Sequence, residues 1–411
     1  MAVTQIAVQP WMREPATRKL LAALQRKGIA ARFVGGCVRD ALLGRPIADI
    51  DLATPARPEE IAAALDEAGV KTVPTGIEHG TVTAVVNSLG PPRHFEITTL
   101  RRDVETYGRH ARVAFDADWS EDAARRDFTI NAIYLDPDGT VHDPVGGLAD
   151  LAAHRVRFVG EPAQRIAEDV LRVLRYYRFE ARFGGGGDDA ARAACRAAVP
   201  LLPKLSAERI AQELLRLLAV ADPVPALHMM REDGVLAAIL PEATRLDRLA
   251  RLIRLEPAPD ALRRLAGLVD ADAAGAFAIA ERLRLSNACR DRLSGLAPPR
   301  TLDPAGDGKV QRRALYRLGA ERYRDLALLL AAEGRIAEPR LAELLALAAA
   351  WEAPVFPLAG RDVTALGIMP GPRIGRLLAE IRRWWEESDF TADRAVCLAR
   401  LRELVAAEDQ R

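Results

Sequence analysis

Between residues 31 and 160 the apolar positions fall into short runs, some alternating with polar residues and some continuous. This spacing predicts strands over 31–34, 49–52, 81–86, 95–99 and 156–159, separated by Gly/Pro punctuation and by a helix over 59–68. From about residue 162 the apolar period becomes that of amphipathic helices, as in 208–218, 225–233, 262–268, 312–318 and 321–332. Breaks are expected at Gly184–Gly187, Pro223, Pro241, Pro298–Pro299, Asp303–Gly308, Pro354–Pro357 and Pro370–Pro372. No fixed-period repeat is present, which argues against a solenoid. The pattern predicts an α/β or α+β head domain followed by a helical remainder.

Composition narrows this. A chain of 411 residues, 49% hydrophobic and 28% charged, is expected to form two to four domains with real cores. Aromatic residues make up only 5% and alanine is abundant, which argues against an all-β protein. No window approaches the ~18 consecutive apolar residues of a membrane span, and Gln5, Gln9, Arg13, Glu14 and Arg18 interrupt the first twenty residues. A soluble, cytoplasmic chain is expected. Cys37, Cys195, Cys289 and Cys397 are too far apart for a CxxC zinc pair and are expected to be buried small hydrophobes. The six histidines have no HExxH spacing and only His228 lies beyond residue 154, which excludes a histidine-rich metal phosphohydrolase in the C-terminal half. The net charge of +1 does not decide for or against nucleic acid. Of the 58 basic residues only five are lysines, leaving 53 arginines, the side chain suited to bidentate phosphate and base recognition.

The candidate chemistry begins at Gly35-Gly36-Cys37-Val38-Arg39-Asp40, which follows a predicted strand and opens a short helix closed by Gly44. Two glycines let the backbone approach a ligand and helix N–H groups favour an anion, so a triphosphate could sit there with Arg39 as its clamp. In the next strand, Asp49-Ile50-Asp51-Leu52 alternates with period two and sets both carboxylates on one face. Two such charges repel, and unless a cation lies between them one tends to keep its proton. Hard oxygen ligands of this kind suit Mg²⁺, which binds through one or two carboxylates plus substrate phosphates. Glu96, flanked by Phe95 and Ile97, is a candidate third carboxylate and shares a polar face with His94 and Thr98.

Residues 164–179 read as one amphipathic helix. Asp169, Arg172 and Arg175 fall within a ~120° arc at ~100° per residue, opposite Ile166, Val170, Val173, Leu174 and Tyr177. An Asp/Arg pair at i,i+3 is also an ordinary surface ion pair. A base reader has a different use for it. Cytosine and adenine both place an amino donor beside a ring-nitrogen acceptor, which a carboxylate and a guanidinium match, whereas uracil and guanine present the reverse.

Together these segments resemble the class II tRNA nucleotidyltransferase and bacterial poly(A) polymerase family, within the polymerase-β-like superfamily. Gly35–Asp40 with Asp49-Ile50-Asp51 is similar to its metal and triphosphate motif, and Arg125-Arg126-Asp127-Phe128-Thr129-Ile130-Asn131-Ala132 to its ribose-contacting motif. Asp143-Pro144-Val145-Gly146-Gly147 resembles its flexible hinge, and Glu168-Asp169-Val170-Leu171-Arg172 its nucleotide-selecting motif. The resemblance implies an α+β nucleotidyltransferase head, with a small mixed or antiparallel sheet, over 1–160. An all-α neck (161–205), body (206–300) and tail (301–411) would follow.

The resemblance also implies template-independent addition of CCA to the tRNA 3′ end from CTP and ATP, with pyrophosphate released and two Mg²⁺ ions as cofactors. Asp49 and Asp51 would bind metal and, with Glu96, form the catalytic set. Gly36, Arg39, Arg126, Asp127, Asn131, Asp169, Arg172, Arg175 and Arg178 would bind the nucleotide. Arg109, Asp143, Gly146 and Gly147 would belong to the flexible loop and hinge. The partners implied are the tRNA acceptor stem and elbow, with no membrane and no protein partner.

Poly(A) polymerases of this family usually carry a Gly-Arg-Arg-Phe-like segment, whereas residues 75–83 here resemble the tRNA-directed members. The loop 101–110 resembles that of full CCA-adding enzymes rather than the shortened loop of CC-only enzymes, although Tyr107 departs from the acidic residue that related bacterial loops often place there. A poly(A) polymerase, a CC-only enzyme and a non-catalytic RNA-binding scaffold are the alternative readings.

Overall fold

The computed structural model describes residues 4–47, 49–76, 80–88, 90–107, 110–115 and 118–409. Arg109 and residues 77–79 therefore lie outside the described residues. The chain divides into two compact units, Met1–Pro241 and Glu242–Arg411.

The first unit is built on strands β1 (Thr4–Gln5), β2 (Arg32–Val34), β3 (Ile50–Thr54), β4 (Lys71–Gly76), β5 (Thr81–Ser88), β6 (Gly90–Thr99), β9 (Tyr134–Leu135) and β10 (Thr140–His142). They form one mixed sheet in the order β1-β10-β9-β2-β3-β6-β5-β4. All described pairings are antiparallel except β3 with β6, whose register sets Ile50 beside Phe95, Asp51 beside Glu96 and Leu52 beside Ile97. Phe95 and Ile97 are buried while His94 and Glu96 are exposed, as strand alternation requires. β7 (Arg102–Tyr107) and β8 (His110–Ala114) form a separate two-stranded hairpin.

Helices α1 (Pro15–Arg26), α2 (Gly36–Leu42), α3 (Pro58–Asp66), α4 (Trp119–Ala124) and α5 (Gly147–Ala152) belong to the sheet region. After them come α6 (Pro162–Glu168), α7 (Arg172–Phe183), α8 (Asp189–Ala198), α9 (Ala207–Leu218), α10 (Val224–Glu232) and α11 (Val235–Ile239). Helix α9 buries Ala211, Leu214, Leu217 and Leu218, a stripe at i, i+3, i+6 and i+7.

Two expectations change. Residues 156–159 form no strand: Phe128 and Phe158 make one isolated bridge, and the apolar run serves to pack Phe158 against Phe128 and Tyr176. The helix expected over 164–179 is two helices. Asp169 leaves helical geometry at φ −152°, ψ 105°, its carboxylate accepts the Leu171 N–H at 3.1 Å, and its carbonyl accepts the Arg172 N–H at 3.0 Å. Asp competes in this way for nearby backbone donors, so the residue that looked like part of a helix face begins the next helix instead.

The second unit is helical throughout its regular structure, and helices Ala261–Leu268, Gly308–Leu318 and Ala320–Ala332 lie where the periodicity set them. Its last part has a core of Leu358, Val363, Ile368, Leu377, Ile381, Trp385, Cys397, Leu401 and Val405. Cys37, Cys195 and Cys397 are buried as expected, while Cys289 is only half-buried. No described helix is long and apolar enough to cross a membrane.

Helix α7 carries one buried acid outside the candidate site. The Glu180 carboxyl lies 5% exposed near backbone groups of Val156, Gly186 and Gly187 and the Tyr176 hydroxyl, none of which meets it in hydrogen-bond geometry. Burial pushes it up to about 7 from an ordinary 4.5. A raised carboxyl stabilises the fold while protonated, fully below pH 4.5, and that stability is lost as pH rises toward 7. Denaturation of the wild type should therefore show a loss of about 3 kcal/mol across this window that Glu180→Gln lacks. Parallel pH profiles of the two proteins would contradict the assignment.

Candidate active site

The site grows from the turn between β2 and α2. Gly35 adopts φ +75°, the left-handed region that favours glycine, and a Cβ placed there would lie 3.8 Å from both an Asp51 carboxylate oxygen and an Arg126 guanidinium nitrogen. The glycine corner, the acidic strand and the Arg125-Arg126-Asp127 segment thus meet at one point. Asp51 is half-buried in β3, Asp49 is exposed just before that strand, and Glu96 lies beside Asp51 in the parallel register. Burial first, and then the Glu96 charge, pushes the Asp51 carboxyl up to about 6; Arg126 opposes this and Asp49 adds to it. This is the strain that a cation between the carboxylates would relieve. Among the described residues no three His, Cys, Asp or Glu side chains close around a common centre. That donor set fits an ion completed by substrate phosphates and water, as Mg²⁺ usually is, rather than an all-protein cage.

Arg39 is buried on α2. Its guanidinium donates to Asn131 at 2.5 Å and to Asp40 at 3.1 Å, and it lies 4.1 Å from the Phe183 ring centre. The residue expected as a clamp thus also fixes Asn131. Cys37 is an inert neighbour, its thiol pushed up to about 12 by burial.

Segment 125–132 is held from both sides. Asp122 on α4 accepts from Arg125 at 2.6 Å, from Arg126 at 3.0 Å and from the Tyr134 hydroxyl at 2.7 Å. Burial disfavours its charge, yet Arg126 and Arg125 hold it below the usual carboxylate range. Asp127 accepts from Asn131 at 3.0 Å and from Arg175 at 2.9 Å. Burial works against its charge too, but Arg175 and Asn131 bring it down to about 2. Arg175 therefore ties α7 to the ribose segment, while Arg178 pairs with the buried Glu213 of α9 at 2.6 Å.

Asp169 and Arg172 do not pair with each other among the described contacts. Arg172 donates to Glu168 at 2.6 Å and to the Arg165 carbonyl at 2.8 Å, and Asp169 accepts from Arg209 of α9 at 2.7 Å. Asp122, Arg209 and Glu213 were not singled out from the sequence. Each is a partner of a motif residue; nothing local marks Arg209 or Glu213, whereas Asp122 stands at the i,i+3 and i,i+4 spacing of a helical ion pair from Arg125 and Arg126.

In the hinge segment, Asp143 accepts the N–H groups of Gly147 at 2.7 Å and Leu148 at 2.9 Å, capping α5. A Cβ on Gly147 would lie 2.2 Å from the Thr129 carbonyl oxygen, so only glycine allows this approach. Gly146 precedes it at φ +81°. The buried Asp150 of α5 accepts from Thr129 Oγ1 at 2.6 Å, Arg155 Nε at 2.7 Å and Arg157 Nε at 2.8 Å.

A glycine turn beside gathered carboxylates, with a bank of arginines alongside, is the kind of site that nucleotidyl chemistry uses. Known proteins agree with that class. Residues 31–157 match the Poly A polymerase head domain, and residues 188–246 match a probable RNA and SrmB-binding site of polymerase A. The mitochondrial CCA tRNA nucleotidyltransferase 1 of Danio rerio is 33% identical over 395 residues, covering 92% of this chain and 88% of that protein. The CCA-adding enzyme of Limosilactobacillus fermentum is 33% identical over 98% of this chain and 100% of its own. The crystal structure of the Bacillus stearothermophilus CCA-adding enzyme in complex with CTP superposes with a TM-score of 0.78 at 28% identity, covering 97% of this chain and 99% of that one. The chain belongs to the CCA tRNA nucleotidyltransferase family.

Replacing Asp150 by Ala should cost about 2–3 kcal/mol, because a buried hydroxyl and two guanidinium groups lose their common acceptor while the half-exposed arginines recover some hydration. A urea midpoint unchanged from wild type would contradict that role.

Proposed function

We propose that this chain adds CCA to the 3′ end of tRNA, taking CMP from CTP and AMP from ATP and releasing pyrophosphate at each step. The observation that carries the reading is the meeting of Asp51 and Arg126 at the Gly35 turn, with Glu96 in register beside Asp51. Family membership over nearly the whole chain supports it.

In each cycle the tRNA 3′-hydroxyl attacks the α-phosphorus, its proton is lost, and the bond from the α-phosphorus to the bridging oxygen breaks in line with the attack. Asp49 and Asp51 would hold two Mg²⁺ ions, with Glu96 as the neighbouring carboxylate. When bound, these supply positive charge for the attacking oxygen and the departing pyrophosphate. The Gly35-Gly36 backbone receives the polyphosphate. Arg126, Asp127 and Asn131 face the ribose, Asp127 being kept ionised by Arg175. Asp169 accepts from the amino group of cytosine or adenine and Arg172 donates to the ring nitrogen. Arg209 and the Leu171 N–H hold the Asp169 carboxylate ready for this. The division at 160, 205 and 300 into head, neck, body and tail, the loop and hinge roles of Arg109, Asp143, Gly146 and Gly147, and a cytoplasmic setting belong to the same proposal.

Purified protein given tRNA lacking its 3′ end, Mg²⁺ and labelled CTP and ATP should stop after CCA. A homopolymer of A on arbitrary RNA would mark a poly(A) polymerase, arrest after two C residues a CC-only enzyme, and tRNA binding without incorporation a scaffold. Asp49→Ala and Asp51→Ala should each lower incorporation by about a thousandfold or more, equivalent to several kcal/mol of lost charge stabilisation, with tRNA affinity nearly unchanged. Asp169→Ala should narrow discrimination against UTP by about 10- to 100-fold, the worth of one lost base-edge contact. Full retention of that discrimination would refute the base-edge role.

A further inference from the structure

Helix α7 carries two phenylalanines one turn apart, Phe179 and Phe183, each only 5% exposed and with ring centres 5.7 Å apart. Their surroundings differ. Phe179 also packs on Phe128 at 4.9 Å, as an ordinary core residue does. Phe183 has no other ring beside it among the described contacts, and three guanidinium groups stand over it instead. Those of Arg39 on α2, Arg45 in the loop after α2 and Arg182 on α7 lie 4.1, 4.9 and 5.1 Å from its ring centre.

Three cations gathered this closely repel one another. Among the described contacts they share a single carboxylate, Asp40, which pairs with Arg39 at 3.0 Å and reaches Arg182 at 3.3 Å. Arg45 donates to the Arg182 carbonyl at 3.3 Å and to no carboxylate among those contacts. Burial disfavours the Arg39 charge, Asp40 restores part of it, and the Arg182 charge works against it again. The ring supplies what the acids do not. A phenyl face carries the negative side of a quadrupole and attracts a cation within about 6 Å, most strongly where water is excluded. A leucine would fill similar space without that attraction.

Of the three, Arg39 is the one joined to the candidate site. Its guanidinium donates to Asn131 at 2.5 Å, and a Cβ added to Gly36 would lie 3.7 Å from its Nη2. It therefore stands beside the glycine turn and against the segment proposed to meet the ribose. Resting on the proposed CCA-adding activity, we infer that Phe183 is a positioning residue. Through the face of its ring it holds the Arg39 guanidinium beside Gly36 and Asn131, and so prepares the polyphosphate and ribose contacts of the incoming nucleotide. Buried as it is, the ring acts through Arg39 rather than on the substrate.

The test replaces Phe183 in the full chain by phenylalanines bearing one, two and three ring fluorines, which withdraw electron density from the face with little change of shape, and by Leu. Melting temperatures confirm folding. Phe183→Leu should raise the Kd for CTP, measured without tRNA, by about tenfold, the worth of one buried cation–ring contact. The CTP KM should rise alike with kcat nearly unchanged, as loss of binding common to ground and transition state gives. Along the fluorine series log Kd should climb in even steps toward the leucine value. A ring that serves packing alone is indifferent to the number of fluorines, so a flat series would overturn the proposal whatever the leucine variant did. CTP binding needs no turnover. A wild type that holds CTP but adds nothing to tRNA would count against the activity while the series still judged the ring, and a wild type that does not bind CTP would overturn both.

Discussion

Like charge gathered on one sheet face is the constraint around which the first unit is arranged. Asp51 and Glu96 are neighbours because β3 and β6 run parallel, the one parallel pairing described in an otherwise antiparallel sheet. Burial, and then that pairing, make the Asp51 charge costly for the chain alone, as its raised carboxyl indicates. The nearest compensation in the protein is Arg126, itself anchored by Asp122 on α4. The acidic edge is thus only partly neutralised within the chain.

The arginine-rich composition takes on a definite meaning here. Most motif arginines are already committed to carboxylates: Arg126 to Asp122, Arg175 to Asp127, Arg172 to Glu168 and Arg178 to Glu213. These partners keep the guanidinium planes in place before any ligand is bound, lowering the entropy lost on binding. In the second unit the same chemistry serves the fold, with Arg263 bridging Glu256 and Asp325 in the interior. A count of 53 arginines thus says little about nucleic acid until each partner is known.

The sequence pattern disclosed the acidic strand, the glycine corner and nearly all the long helices, because each is written in local period or local turn chemistry. What it could not disclose depends on distant pairing. The register that sets Glu96 beside Asp51 joins strands separated by α3, β4 and β5. Arg209 and Glu213 meet Asp169 and Arg178 only across long stretches of chain. The run at 156–159 forms no strand because continuous apolar character signals burial without requiring a ladder. The break at Asp169 was missed for the opposite reason: its spacing suits a helix face, but its carboxylate is also a good local acceptor, and the backbone yields to it.

The contact between Gly147 and the Thr129 carbonyl bears on how the head can move. With no room for a side chain between them, and with Asp150 bonded to Thr129 and to both following arginines, the capped start of α5 and the turn at Thr129 are clamped together. Any rocking during turnover would carry these two pieces as one lever. The compliance of the segment would then reside at its flanks, so that a movement there leaves the Thr129 turn undisturbed.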